Sequence, residues 1–132
     1  MKISILLPYK ENFSPEYPGA VSLFVYETTR ISKFKKHITV YGNTNFKKKF
    51  SFKKINIEIK KNIITSQTKN YVKNFIKLEK FNKSSIIEIH NRPTYVKILT
   101  NQFKSRIVSL YFHNDPLSMD GSKSIDDRKF IL

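Results

Sequence analysis

The stretch Ser85-Ile86-Ile87-Glu88-Ile89-His90-Asn91-Arg92-Pro93-Thr94-Tyr95-Val96 decides how this chain folds. Ser85 to Ile89 is a short, isoleucine-rich run, as expected of a strand covered on both faces. The polar turn His90-Asn91-Arg92-Pro93 ends it. Pro93 suits the first turn of a helix, where its missing N–H has no intrahelical acceptor in any case. Tyr95, Val96, Leu99 and Phe103 then recur at helical spacing and are expected to point inward.

The same rhythm extends in both directions. Lys2 to Pro8 is a second apolar run, read as a central parallel strand, because Pro8 cannot continue the ladder. A polar loop with Pro15 and Pro18 leads to a helix from about Gly19 to Lys33, with Val21, Phe24, Val25, Thr28 and Ile31 on its inner face. His37 to Tyr41 reads as a strand ending at Gly42-Asn43, and His37 at its start is given a structural role. Ile55, Ile57 and Ile59 alternate with Asn56, Glu58 and Lys60, the pattern of a half-exposed strand near a sheet edge. From Ser66 onward Tyr71, Val72, Phe75, Ile76 and Leu78 form an apolar stripe, while Lys69, Lys73, Lys77 and Lys80 stack on another face. Ile107 to Phe112 supplies a fifth strand, His113-Asn114-Asp115-Pro116 opens a loop, and a last helix begins near Ser122.

Strands alternating with helices predict an α/β fold: a Rossmann-like, doubly wound parallel sheet of about five strands in three α/β/α layers. Right-handed crossovers predict the order third, second, first, fourth, fifth, with the three apolar strands near the centre. At 132 residues the chain fits one domain, residues 1–132, with no second domain and no internal repeat.

Composition narrows the chemistry. The chain has no cysteine, which excludes disulfides, thiolate metal sites and cysteine nucleophiles, and suits a cytoplasmic setting. The first apolar run ends at Tyr9-Lys10-Glu11-Asn12, short of signal-peptide or transmembrane length. Lys and Arg number 25 against 10 acidic residues, a formal charge of +15. Arg30, Arg92, Arg106 and Arg128 are the only arginines, and Lys, Ile, Asn and Phe all have AT-rich codons. Genome composition, an anionic membrane surface and nucleic acid therefore all remain open as sources of the charge.

Ligands of open α/β sheets bind beyond the carboxyl ends of the strands, where the strand order reverses. Three segments are expected there: the loop from Pro8 to Gly19, the turn His90-Asn91-Arg92-Pro93, and His113-Asn114-Asp115. Pro18-Gly19-Ala20 places a small residue and free N–H groups at a helix start, suited to an anion or a sugar hydroxyl, or forms an ordinary turn. His113 and His90 could each bond a hydroxyl or simply hold their turns. Arg92 could contact phosphate or carboxylate, or pair with Asp115. Asp115 could accept hydroxyl protons or shape its turn, and Asn91 could be a helix cap. No metal is expected, because the three histidines are distant in sequence and Asp126-Asp127 is the only compact acidic pair. G-x-G-x-x-G, Walker A and G-x-S-x-G spacings are all missing.

On the residues Met1-Lys2-Ile3-Ser4-Ile5-Leu6-Leu7-Pro8, Pro18-Gly19-Ala20, Ile86-Ile87-Glu88-Ile89-His90-Asn91-Arg92-Pro93 and Leu110-Tyr111-Phe112-His113-Asn114-Asp115-Pro116, the chain resembles the N-terminal domain of family-4-type retaining GT-B glycosyltransferases. Many of these build bacterial surface polysaccharide and lipopolysaccharide. The resemblance implies an acceptor-binding half whose helix-start loop, here Gly19 and Ala20, approaches the donor diphosphate. Ala20 stands where the family has a further glycine. His113 matches the histidine that contacts the reacting sugar, taken here as the catalytic position. His90 and Asn91, with Arg92, Asn114 and Asp115 beside them, match the acceptor rim. The implied partners are a nucleotide-sugar donor and a sugar acceptor, with no cofactor. The family's second domain, with its nucleotide-sugar site and E-x7-E motif, has no counterpart here. The chain accordingly reads as truncated and is expected to have negligible transferase activity alone. The competing expectations are a basic nucleic-acid-binding module and a cytoplasmic interaction protein, peripheral at the inner face of the membrane through Lys69, Lys73, Lys77 and Lys80.

Overall fold

The computed structural model describes residues 1–14, 16–44, 46, 49–60 and 64–132. Pro15, expected in the first loop, and several residues of the Lys-rich stretch before the third strand lie outside the described residues. The strands are β1 (Ile3–Leu6), β2 (Ile38–Gly42), β3 (Lys53–Asn56), β4 (Ile86–His90) and β5 (Ile107–Tyr111). The helices are α1 (Ala20–Ile31), α2 (Gln67–Asn82), α3 (Pro93–Gln102) and α4 (Ile125–Ile131). All strand pairs are parallel, in the order β3-β2-β1-β4-β5. This is the Rossmann-like, doubly wound arrangement that the alternation of strands and helices predicts.

Two cores sandwich the sheet. Leu6, Tyr41, Ile87 and Ile89 meet Tyr71, Val72 and Phe75 of α2 and Tyr95, Val96 and Leu99 of α3 on one face. Ile5, Leu7, Ile38 and Val40 meet Val21 and Val25 of α1, with Phe13 and Phe52, on the other. The odd and even residues of β1 thus serve opposite layers, as the two-residue strand period requires. Helix ends follow local chemistry. The Ser66 hydroxyl accepts from Lys69 N at the start of α2, and Lys83 closes that helix in the left-handed region. Pro93 opens α3.

Several expectations need correction. The strand order itself is the one expected from the crossovers, with β2, β1 and β4 internal; β5, although apolar, is an edge strand in that order, with Ile107 64% and Tyr111 46% exposed. Apolarity marks what a strand can bury, but the crossover path decides where it lies. The third strand is indeed at the other edge, but it begins at Lys53 and ends at Asn56. Ile57, just beyond it, still donates to the Gly42 carbonyl and is buried. The inner face of α1 is Val21, Ser22, Val25 and Thr29, and Ile31 is 73% exposed. The helix expected near Ser122 starts at Ile125, where the Ser124 side chain caps it. His37 ends a short 3-10 turn (Lys35–His37) that leads into β2.

The least expected feature is Glu79, in the apolar face of α2 and 0% exposed. Its Oε2 accepts from Ser4 Oγ at 2.5 Å and Asn82 Nδ2 at 3.4 Å. Its Oε1 accepts from Ser84 N at 2.8 Å, from Ser84 Oγ, and from Arg106 Nη1 at 2.7 Å. This one carboxylate ties the end of α2 to β1 and to the chain entering β4 and β5. A buried charge costs several kcal/mol to desolvate unless its lone pairs are satisfied in this way. Tyr41, beside it, has its hydroxyl pKa raised, by burial first and then by the negative charge of Glu79.

Candidate functional site

The sheet's polar carboxyl rim is built by strand ends. In β4 the pleat puts Ile87 and Ile89 into the α2–α3 core and turns Glu88 and His90 to the opposite face. Parallel pairing sets His90 beside Tyr111, and two residues further on the chain carries His113 over the same face. The result is a linear hydrogen-bonded chain. His90 Nε2 lies 2.6 Å from Glu88 Oε1, and His90 Nδ1 lies 2.8 Å from His113 Nε2. The His90, Tyr111 and His113 rings form a mutual cluster, with centroids 5.1 Å apart for His90 and His113, 5.5 Å for His90 and Tyr111, and 5.0 Å for Tyr111 and His113. Phe24 of α1 packs edge-on to His113 at 5.0 Å.

Asn91 locks the two loops together. It sits at φ 54, in the left-handed region that asparagine tolerates better than most residues. Its N–H extends the ladder to the Tyr111 carbonyl, and its Oδ1 accepts from His113 N and Asn114 N, both at 3.3 Å. Asn91 is therefore a bridge between loops; the helix-capping position belongs to Arg92. Arg92 Nη1 donates to the Asn91 carbonyl at 2.9 Å, not to Asp115. Asp115 is exposed and caps a short 3-10 turn (Pro116–Ser118) by accepting from Leu117 N. Of the two alternatives for Arg92, the pair with Asp115 does not form, because the turn uses the carboxylate locally. A cleft of about 280 Å³, lined in part by Thr68, Asn91, Arg92 and Asp120, opens beside this rim.

At the start of α1, Glu11 Oε1 accepts from Ser22 N at 3.0 Å. Gly19 caps the helix with ordinary extended geometry, and any side-chain carbon there would overlap the Glu11 carboxylate. The glycine thus makes room for an internal anion at the helix start, with Ala20 beginning the helix.

The His113 pKa is held below its ordinary value. Burial disfavours the imidazolium, His90 adds to the effect, and the Glu11 and Glu88 carboxylates oppose it. His113 is therefore neutral at physiological pH, with one ring nitrogen donating and the other accepting.

The structure gathers His90, Asn91, His113 and Asn114 into one cluster, sets Arg92 at its flank, and leaves Asp115 facing solvent. Gly19 and Ala20 lie at the neighbouring helix start. Glu11, Phe24, Glu88 and Tyr111 were not among the sequence candidates. Glu88 carried a legible signal, a charge inside an isoleucine run two residues before a histidine. Among the described residues no group of three or more side chains converges as a metal site, and no helix is long and apolar enough to cross a membrane.

Fold and rim together define a Rossmann-like α/β domain with a carboxylate–imidazole–imidazole chain at the edge where such sheets take ligands. No protein-family model, no curated protein and no solved structure matches this sequence.

Proposed function

We propose that this chain is the acceptor-binding half of a glycosyltransferase that uses a nucleotide-sugar donor, and that its rim takes sugar hydroxyls. The observation that supports the reading is the hydrogen bond between His90, at the end of β4, and His113, just past β5, which gathers two imidazoles at the carboxyl edge of the sheet. Asn91 and Asn114 flank it with amide groups suited to hydroxyls, and Arg92 adds a cation beside the cleft. The Glu11 carboxylate already takes an N–H at the α1 start, so a donor phosphate would reach Gly19 and Ala20 only after displacing it. Surface polysaccharide or lipopolysaccharide is the product class that the sequence resemblance suggests, and a second, donor-binding domain would complete the enzyme.

Saturation-transfer NMR with a panel of methyl glycosides tests the reading. Glycoside signals should appear with the wild-type chain and vanish with His113→Ala. No signal from any glycoside, or equal signals from both proteins, overturns it. Turnover of UDP-glucose by the chain alone would overturn the expectation that catalysis needs a second domain.

One observation favours a second reading, attachment to an anionic membrane surface at the cytoplasmic face. Lys69, Lys73, Lys77 and Phe81 follow one another at four-residue spacing along α2, the lysines exposed and Phe81 87% exposed. Lys80 lies beside the ridge, and the only acid in the helix, Glu79, is buried. Cosedimentation with phosphatidylglycerol vesicles should fall when Lys69, Lys73 and Lys77 are changed to Glu. Unchanged association rejects this face, and salt-sensitive RNA binding near physiological salt would favour a nucleic-acid partner instead.

A further inference from the structure

We infer that Glu88 is a positioning residue which, through His90, fixes His113 as the tautomer that presents an unprotonated Nδ1 to a ligand hydroxyl. The inference rests on the reading of the rim as a sugar-hydroxyl site and adds the direction of its hydrogen bond. It follows from donor and acceptor bookkeeping along the chain. An ionised carboxylate only accepts, so the 2.6 Å contact with Glu88 requires the hydrogen on His90 Nε2. In neutral His90 the Nδ1 is then an acceptor, and the 2.8 Å contact requires the hydrogen on His113 Nε2. In neutral His113 that leaves Nδ1 with a free lone pair, and among the described residues it makes no hydrogen bond. Orientation of one imidazole by the partner of another is the way second-row groups set a ring's chemistry elsewhere.

The arrangement also balances a proton transfer. If a ligand O–H gives its proton to His113 Nδ1, the Nε2 hydrogen can pass to His90 Nδ1. The charge then rests on His90, in contact with the Glu88 carboxylate. The titratable groups facing His113 are His90 and Glu88 from β4 and Glu11 from the loop before α1. Tyr111 and Phe24 close its sides with their rings. With Glu88 in place His90 is only 1% exposed, so the carboxylate is the group that its Nε2 meets.

Long-range 15N–1H NMR on the ligand-free full chain at pH 7.5 reads the tautomers directly. His113 should show a protonated Nε2 and a pyridine-like Nδ1, and His90 a protonated Nε2. Glu88→Gln, whose amide oxygen still accepts, should keep both patterns, whereas Glu88→Ala should turn His113 into a mixture. The backbone amide spectrum checks that each variant is folded. A protonated Nδ1 on wild-type His113, or an unchanged single tautomer in folded Glu88→Ala, overturns the inference. Because no sugar is present, that failure is distinct from failure of glycosides to bind.

Discussion

Replacing Arg106 with Leu is the sharpest test of how the fold is held together. Arg106 Nη1 lies 2.7 Å from Glu79 Oε1, with side-chain exposures of 16% and 0%. Removing the guanidinium leaves a carboxylate buried without its counter-charge, although Ser4, Ser84 and Asn82 still donate to it. Breaking one side of a buried pair typically costs about 3–5 kcal/mol. The remaining donors hold the expected loss near the lower figure, about 3 kcal/mol, and lost stacking of the guanidinium on Phe103 at 4.3 Å adds to it. Against a total stability of about 5–15 kcal/mol for an ordinary domain, this is a large fraction. Urea unfolding followed by far-UV circular dichroism measures it as a lower midpoint at unchanged slope. The double variant Glu79→Leu with Arg106→Leu should lose less than the two single changes added together, because no unpaired charge remains. It should not regain wild-type stability, since the Ser84 N–H and Ser4 hydroxyl lose their acceptor. A loss below about 1 kcal/mol in Arg106→Leu, or strict additivity in the cycle, would refute the reasoning.

Three other outcomes follow from the same kind of accounting. Tyr71→Phe removes the 2.8 Å bond from its hydroxyl to the buried Leu7 carbonyl and should cost about 1–3 kcal/mol, measured by thermal unfolding. Glu11→Ala and Gly19→Ala should each cost about 1 kcal/mol through the same lost bond to Ser22 N, so a double variant no less stable than either single one is expected. His113 has its pKa lowered by burial and by His90, so the unfolded chain binds the proton first. Stability should therefore be highest at neutral pH, decline as pH falls through about 6.5 and level off below the folded pKa. His113→Asn should flatten that slope in urea titrations at stepped pH; an unchanged slope argues against a half-buried, neutral His113.

The legibility of the fold varied with the range of the interaction. Tyr71, Val72 and Phe75 announce a helix by spacing alone, and Ser66 its start, because both effects act within a turn or two of chain. The strand order follows from crossover handedness, which depends on the succession of elements and not on their detailed packing. Glu79 shows where this stops. It stands at helical spacing from Val72 and Phe75, yet its burial depends on Ser4 and Arg106, far away in sequence and brought near by the sheet. Ile31 errs the other way: it fits the stripe of α1 but lies past the sheet's cover and stays exposed.

For the site, residue types at strand ends were enough to single out His90, Asn91, Arg92 and His113, since the carboxyl edge of a parallel sheet is where polar loops must gather. What these residues do to each other was decided only by tertiary structure. Pairing β4 with β5 in one register sets His90 against His113 and leaves Asp115 in its own turn. Shifting that register by one residue would send Glu88 and His90 into the opposite layer. The internal anion at the α1 start likewise depends on Glu11 folding back over Gly19. The sequence by itself determined the elements, their order and the rim, because periodicity, caps and crossover hand are local or nearly so. Only the tertiary structure decided which groups share a proton, which charge is buried and which helix start is filled, because hydrogen bonds act over about 3 Å and that proximity is created by the fold.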